Sequence, residues 1–259
     1  EVVDIDDVGV IEQREQLRLL DKRPDEVRLG CQLGQHAFDG DLSLEPADTM
    51  EHGPVDIETA EDMVRAAELA DVTPIIRVTH NTPHLVLRAL DSGALGVHVP
   101  EINTVEDAKT LAASVKYSPE GNRGLAGTRA SKYGMKDSLA EYTTAANRET
   151  MAIAHIENVK AIENLDDLLG VDNIDVYFLG PTDLSNSLGI PGQAGDPRVV
   201  DYVEESIKRI VAAGKTAGCI TVNTDVAKRY IDLGVRYLAT HALKHMTNGS
   251  KRFMEEVKS

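Results

Sequence analysis

Short apolar runs and longer amphipathic segments alternate along most of the chain. Runs rich in Ile, Val, Leu and Ala are typical of strands buried on both faces, whereas apolar residues three or four positions apart are typical of helices that cover a sheet. Strands are predicted at residues 27–33, 73–78, 94–99, 151–156, 175–179, 216–221 and 235–240. Helices are predicted at residues 11–21, 56–69, 83–91, 104–115, 137–150, 160–169, 196–213, 225–233 and 242–257. Asp56 and Thr104 are expected to cap their helices. This alternation favours a parallel sheet covered by helices.

The number of strand–helix units favours a closed barrel over an open sheet. An eighth strand is needed between Leu33 and Asp56, and residues 42–49 are the candidate although Pro46 interrupts them. Neither a G-x-G-x-x-G pattern nor a P-loop pattern occurs, which removes the usual nucleotide-binding form of the open sheet. We therefore predict a single domain over residues 1–259, a (β/α)8 TIM barrel of ordinary length for that fold.

The composition limits which partners the protein can bind and in which cellular compartment it is expected. The net charge of −16 argues against nucleic acid and against an anionic membrane surface, because both need Lys and Arg to neutralise phosphates. Cys31 and Cys219 stand in apolar runs and are expected to be inert core thiols rather than a disulfide. The acidic N-terminal segment does not resemble a signal peptide, and no apolar run is long enough for a membrane span. A soluble cytoplasmic protein is expected.

Polar residues close several of the predicted strands, where a barrel carries its active site. His52, Arg77, Glu157, Asp183 and Asn223 each follow or end a different strand. Two carboxylates on adjacent strands would repel each other unless a cation lay between them, and carboxylates with water suit Mg²⁺ or Mn²⁺. An Arg is a fork-shaped partner for a carboxylate or an enolate, and a His carries protons near neutral pH.

Each of these residues also has an ordinary structural reading. Taken alone, Glu157 could be a solvated loop residue, Arg77 could form a structural ion pair, and His52 could be a loop or helix-cap residue. His98 and His155 are alternative candidates for a catalytic histidine. A Schiff-base mechanism needs a Lys at the barrel mouth. Lys215 precedes its strand and would lie at the opposite end, which disfavours the imine route.

At these positions the sequence resembles the class II pyruvate aldolases of the 4-hydroxy-2-oxoheptanedioate aldolase and 2-dehydro-3-deoxyglucarate aldolase family. The resemblance extends from about Glu51 to Leu238. The matching segments are Glu51-His52-Gly53-Pro54, the strand ending in Arg77, residues 90–94, residues 121–124, Ile156-Glu157, and above all residues 178–185, which read Phe-Leu-Gly-Pro-Thr-Asp-Leu-Ser.

The resemblance implies a barrel of the phosphoenolpyruvate/pyruvate type that forms a homo-hexamer, a dimer of trimers, with its last helix exchanged between subunits. It also implies that Glu157 and Asp183 hold a divalent metal, with Mg²⁺ preferred and Mn²⁺ or Co²⁺ as alternatives. In this family Arg77 would bind the pyruvate oxygen that becomes the enolate, and His52, oriented by Asp91, would move protons. Backbone N–H groups around Gly180, Thr182 and Asp183 would face the pyruvate carboxylate.

The expected function is reversible aldol addition of pyruvate to an aldehyde, or retro-aldol cleavage of 4-hydroxy-2-oxo acids. Three alternatives remain open: decarboxylation of oxaloacetate, lyase activity on an acyl-CoA ester, and a non-catalytic barrel that only binds a ligand. The sequence departs from the family pattern at Thr49, where an Asp is frequent, and at His155, where a Gln is frequent. The segment between Leu33 and Glu51 is also about eight residues short of the usual helix and strand.

Overall fold

The computed structural model describes residues 28–32, 44–50 and 55–258, and for residues 28–32 and 44–49 it describes the backbone alone. The helix predicted at residues 11–21 lies outside these ranges. Within the described residues, no helix is both long enough and apolar enough to cross a membrane.

Within the described residues, eight strands run parallel and pair in sequence order. They are β1 Arg28–Gln32, β2 Leu44–Thr49, β3 Ile75–Arg77, β4 Gly96–Val99, β5 Met151–Ile156, β6 Val176–Leu179, β7 Ala217–Ile220 and β8 Tyr237–His241. Strand β8 pairs with β1, so the sheet closes into a barrel. The prediction of an α/β fold with a parallel sheet is confirmed. Because all strands point the same way, their carboxyl ends form one rim, which we call the barrel mouth.

Strand β2 forms despite Pro46. Residues 44–46 pair with β1, and residues 47–49 pair with β3. Pro46 therefore stands where the pairing passes from one neighbour to the other, so its missing N–H removes little from either ladder. The strand that the sequence predicted only weakly is therefore able to form and to complete the barrel.

Helices follow the strands and cover the outside of the barrel. They are α1 Ile57–Leu69, α2 Pro83–Asp91, α3 Val105–Val115, α4 Leu139–Glu149, α5 Val159–Glu163, α6 Leu165–Leu169, α7 Pro181–Ser187, α8 Pro197–Ala212, α9 Thr224–Asp232 and α10 Ala242–Lys258. A 3₁₀ segment spans Arg129–Gly134. Both expected caps are present: the Asp56 carboxylate accepts from the Thr59 N–H at 2.9 Å, and Thr104 forms a capping box with Asp107.

Two helical predictions need correction. The single helix predicted at residues 160–169 is two helices, α5 and α6, that meet at Asn164. The Asn164 side chain donates to the Asn103 carbonyl at 2.8 Å, which ties this junction to the loop after β4. Helix α7 was not predicted, because its short sequence has too few turns to display a helical period.

Strands β3 to β8 are buried on both faces over most of their length. Side chains directed outward from the strands pack under the helices, whereas Ile75, Ile153, Val176, Phe178 and Tyr237 fill the barrel interior. Cys219 belongs to the outer layer and is fully buried, and burial raises the pKa of its thiol to about 12. This agrees with the expectation of an inert thiol at that position, and the Cys31 side chain lies outside the described residues.

Candidate functional site

The barrel mouth gathers polar side chains from several strands. Arg77 is the last residue of β3, two positions after the inward-facing Ile75, so its side chain points into the barrel. Glu157 follows β5, Asp183 lies in the first turn of α7 after β6, and His241 ends β8. The structure thus brings Arg77, Glu157 and Asp183 to the rim predicted for them.

Glu157 is the most buried acid at this rim, with 6% of its surface exposed. Its Oε2 atom lies 3.1 Å from His155 Nδ1 and 3.7 Å from Arg77 Nη2, and its Oε1 atom accepts from the Glu101 N–H at 3.1 Å. Burial alone would raise the pKa of Glu157. The contacts with His155, Arg77 and the Glu101 N–H outweigh that effect and hold the pKa at about 2, so the carboxylate is ionised.

The Glu101 backbone adopts a conformation that serves this carboxylate. Its φ of +57° lies in the left-handed region, which is uncommon for a residue other than Gly, Asn or Asp. In this conformation its N–H donates to Glu157. This contact was not predictable from the sequence, because a Glu in a loop is ordinarily a solvated residue.

Gly180 makes room for Glu157. A Cβ atom built on Gly180 would lie 2.9 Å from both Cβ and Oε2 of Glu157. The Gly180 N–H donates to the Ile156 carbonyl at 3.3 Å, so it is used by the strand rather than turned toward a substrate. This corrects the expectation that Gly180 offers an N–H to a carboxylate. Thr182 and Asp183, in the first turn of α7, keep N–H groups that have no partner within the helix.

Two carboxylates at the mouth fit a divalent cation. Asp183 is exposed in the first turn of α7, directly after β6, and β6 pairs with β5, the strand that Glu157 follows. Within the described residues no group of three or more His, Cys, Asp or Glu side chains could hold a metal. A pair of carboxylates completed by water is nevertheless a donor set that Mg²⁺ accepts.

Asp91 is not at this mouth within one chain. It is the last residue of α2, just before the chain turns into β4, and this end of the helix faces the opposite rim of the barrel. Its Oδ1 atom pairs with Arg123 Nη2 at 2.8 Å, and the Arg123 guanidinium lies over the Tyr117 ring. Arg129 lies on the same side, where it donates to the Ser92 carbonyl.

His52 lies outside the described residues, but Thr49 and Met50, which precede it in the sequence, lie at the mouth. Thr49 is paired with Arg77, and the Met50 N–H donates to the Arg77 carbonyl at 3.0 Å. Asn223, expected to aim a polar group at the mouth, instead caps α9 by accepting from the Asp225 and Val226 N–H groups.

The rival histidines, His98 and His155, are buried inside the barrel and form a hydrogen-bonded pair. Burial lowers the pKa of both rings, and for His155 it outweighs the opposing effect of Glu157. Their role beside Glu157 was missed in the sequence, although their alternation with outward apolar residues in β4 and β5 marks both as inward-facing.

Comparisons with known proteins place this geometry in a family. Residues 48–241 match the model of the HpcH/HpaI aldolase/citrate lyase family. The chain belongs to this family, and the resemblance found in the sequence is confirmed.

Named relatives and a solved structure agree with the assignment. A hydroxypyruvate/pyruvate aldolase from Agrobacterium fabrum is 33% identical over 74% of this chain and 72% of its own length. A 2-keto-3-deoxy-L-rhamnonate aldolase from Klebsiella pneumoniae is 37% identical over 73% of this chain and 70% of its own length. The crystal structure of a HpcH/HpaI aldolase/citrate lyase family protein from Burkholderia cenocepacia superimposes with a TM-score of 0.84 at 26% identity, and covers 95% of this chain and 100% of its own.

The close approach of Gly180 to Glu157 can be tested by substitution. We expect Gly180→Ala to displace the Glu157 carboxylate and to weaken Mn²⁺ binding by about tenfold to a hundredfold, the usual cost of disturbing the support of a metal ligand. The control is Gly195→Ala, because a Cβ at Gly195 meets nothing within 4 Å. Equal Mn²⁺ affinities of both variants and the wild type, measured by calorimetry, would contradict the assignment.

Proposed function

We propose that the protein is a divalent-metal-dependent aldolase, a carbon–carbon lyase that adds the enolate of pyruvate to an aldehyde and cleaves 4-hydroxy-2-oxo acids in reverse. The observation that carries the proposal is the buried, ionised Glu157 beside Arg77 at the mouth of a barrel of this family. The named relatives support an aldolase over the decarboxylase, acyl-CoA lyase and non-catalytic alternatives.

Glu157 and Asp183 would hold the metal, with Mg²⁺ as the first choice and Mn²⁺ or Co²⁺ as substitutes. When bound, the cation supplies Lewis-acid chemistry that makes the pyruvate methyl group more acidic. The low pKa of Glu157 keeps this ligand ionised across the physiological range. The Thr182 and Asp183 N–H groups would face the pyruvate carboxylate.

Arg77 would stabilise the enolate oxygen. Its side chain projects from β3 toward the same point as Glu157, and its Nη2 atom lies 3.7 Å from Glu157 Oε2. A preorganised donor aimed at developing charge is among the largest contributions to catalysis. The fork of an Arg can also contact two oxygen atoms at once, which the ammonium of a Lys does not reproduce.

His52 would move the proton to and from the pyruvate methyl carbon. The hydrogen bond from Met50 to the Arg77 carbonyl supports this role, because it fixes the chain beside Arg77 two residues before His52. Asp91 would orient His52 only from a second copy of the chain, since within one chain it lies at the opposite rim.

The proposed assembly is a hexamer of single-domain TIM barrels of the phosphoenolpyruvate/pyruvate type, a dimer of trimers with α10 exchanged between subunits. Helix α10 has no buried residue. It exposes Leu243, Met246, Phe253, Met254 and Val257. These residues lie along one side of the helix, a pattern typical of a helix that packs against a neighbouring subunit.

Metal removal tests the class of aldolase. We expect EDTA to abolish cleavage of 4-hydroxy-2-oxo acids and Mg²⁺, Mn²⁺ or Co²⁺ to restore it, as followed by pyruvate release. Full activity in excess EDTA would reject the proposal. So would borohydride trapping of substrate on a lysine, for which Lys244 at the start of α10 would be the first suspect.

Substitution separates Arg77 from His52. We expect Arg77→Ala to lower kcat by about a hundredfold to a thousandfold, since one oxyanion donor contributes about 3–4 kcal/mol, and Arg77→Lys to rescue little. His52→Ala should slow deuterium exchange of the pyruvate methyl group and leave metal affinity unchanged. Wild-type turnover by Arg77→Ala, or loss of metal from His52→Ala, would show that the roles are wrongly assigned.

Light scattering tests the assembly. At micromolar concentration we expect six times the chain mass, and a smaller particle for Phe253→Asp, which places a charge in the apolar stripe of α10. Asn248→Asp, on the opposite side of the same helix, is the matched control and should stay hexameric. A monomeric wild-type mass would contradict the proposed exchange.

A further inference from the structure

An unbroken chain of hydrogen bonds runs through the barrel interior to Glu157. Tyr237 Oη lies 2.9 Å from His98 Nε2, His98 Nδ1 lies 2.7 Å from His155 Nε2, and His155 Nδ1 lies 3.1 Å from Glu157 Oε2. We call Tyr237, His98 and His155 the interior relay. Each of the three is at most 3% exposed. The interior relay therefore connects β8, β4 and β5 to one acid at the mouth.

Aromatic packing fixes the two imidazole rings. The Phe178 ring centroid lies 4.9 Å from that of His98 and 4.8 Å from that of His155, and the two imidazoles meet edge to face at 86°. Neither ring can turn without losing these contacts in a close-packed interior. The nitrogen atoms are thus held at the positions where they form the relay.

The chemistry of the groups sets the direction of every hydrogen bond. An ionised carboxylate only accepts, so His155 Nδ1 carries the proton that it donates to Glu157. Both rings are enclosed in the barrel interior, each at most 3% exposed, where a charged imidazolium would be costly, so the relay has both rings neutral. His155 Nε2 is then an acceptor, which requires a proton on His98 Nδ1. His98 Nε2 is an acceptor in turn, and the Tyr237 hydroxyl donates to it.

We propose that the interior relay is a positioning device that orients Glu157 for metal binding, with all of its donors directed toward that carboxylate. This inference rests on the proposed function, in which Glu157 is a metal ligand. Glu157 Oε2 is held by His155 and Oε1 by the Glu101 N–H, so the carboxylate plane is fixed from two sides. Groups that orient ligands in this way have a large effect on metal affinity.

The first test reads the protonation of the ring nitrogens directly in the wild-type protein. Long-range ¹H–¹⁵N spectra of protein labelled at histidine report which ring nitrogen is protonated. We expect His98 and His155 both to be protonated at Nδ1, with His155→Gln used to assign the His155 signals. An Nε2-protonated form of either ring would overturn the proposal, because the direction of the relay would then be broken.

The second test removes the Tyr237 hydroxyl from the relay. Tyr237→Phe deletes only the hydroxyl, which is separated from Glu157 by His98 and His155. We expect Mn²⁺ affinity to fall by roughly tenfold, at the low end of the range for groups that support a metal ligand. The matched control is Tyr177→Phe. Tyr177 is also fully buried, on the neighbouring outer face, where its hydroxyl donates to the Leu168 carbonyl at 2.9 Å. It should retain wild-type Mn²⁺ affinity while losing a similar amount of thermal stability.

A third pair of variants tests the link next to the acid. His155→Leu should lose Mn²⁺ affinity by about tenfold to a hundredfold, and His155→Gln, whose amide can still donate to Glu157, should recover most of it. Wild-type Mn²⁺ affinity in Tyr237→Phe and His155→Leu would overturn the relay while leaving the metal site intact. Failure of the wild type to bind Mn²⁺ would instead refute the proposed metal site, and the ¹⁵N spectra would still decide the direction of the relay.

Discussion

The carboxylate of Glu157 is buried at the mouth of the barrel, and much of the local structure follows from its need for partners. An ion removed from water costs several kcal/mol unless other charges and hydrogen bonds compensate it. Here Arg77 supplies a charge, while His155 and the Glu101 N–H supply hydrogen bonds. These groups come from β3, β5 and the loop after β4, so the acid ties neighbouring strands together at the mouth.

The same constraint explains features that would otherwise be costly. Glu101 adopts a left-handed backbone conformation that directs its N–H to the acid, and Gly180 lacks the side chain that would collide with it. Two histidines occupy interior positions where aliphatic residues would pack more simply. Each of these unfavourable features lies where it helps to keep the carboxylate ionised and in a fixed position. A ligand for a divalent cation requires both properties.

The framework was predictable from sequence because local signals determine it. Helix α2 was predicted with its observed bounds, and the caps at Asp56 and Thr104 follow from side chains close in sequence. Glu157, Arg77 and Asp183 were also found, since parallel strands bring their carboxyl ends to one rim. Contacts between distant segments were not predictable in this way. The N–H of Glu101 and the link from His98 to Tyr237 depend on the register of the closed barrel. The position of Asp91 at the opposite rim, by contrast, follows from the order of α2 and β4 along the chain and was overlooked.

The central claim is that Glu157 and Asp183 hold a divalent cation at the barrel mouth. Anomalous diffraction from crystals grown with Mn²⁺ tests it most directly, because the signal locates the ion independently of its ligands. We expect one strong peak within bonding distance, about 2.0–2.3 Å, of a carboxylate oxygen of each residue. No peak at the mouth, or a peak bound to other side chains, would contradict it.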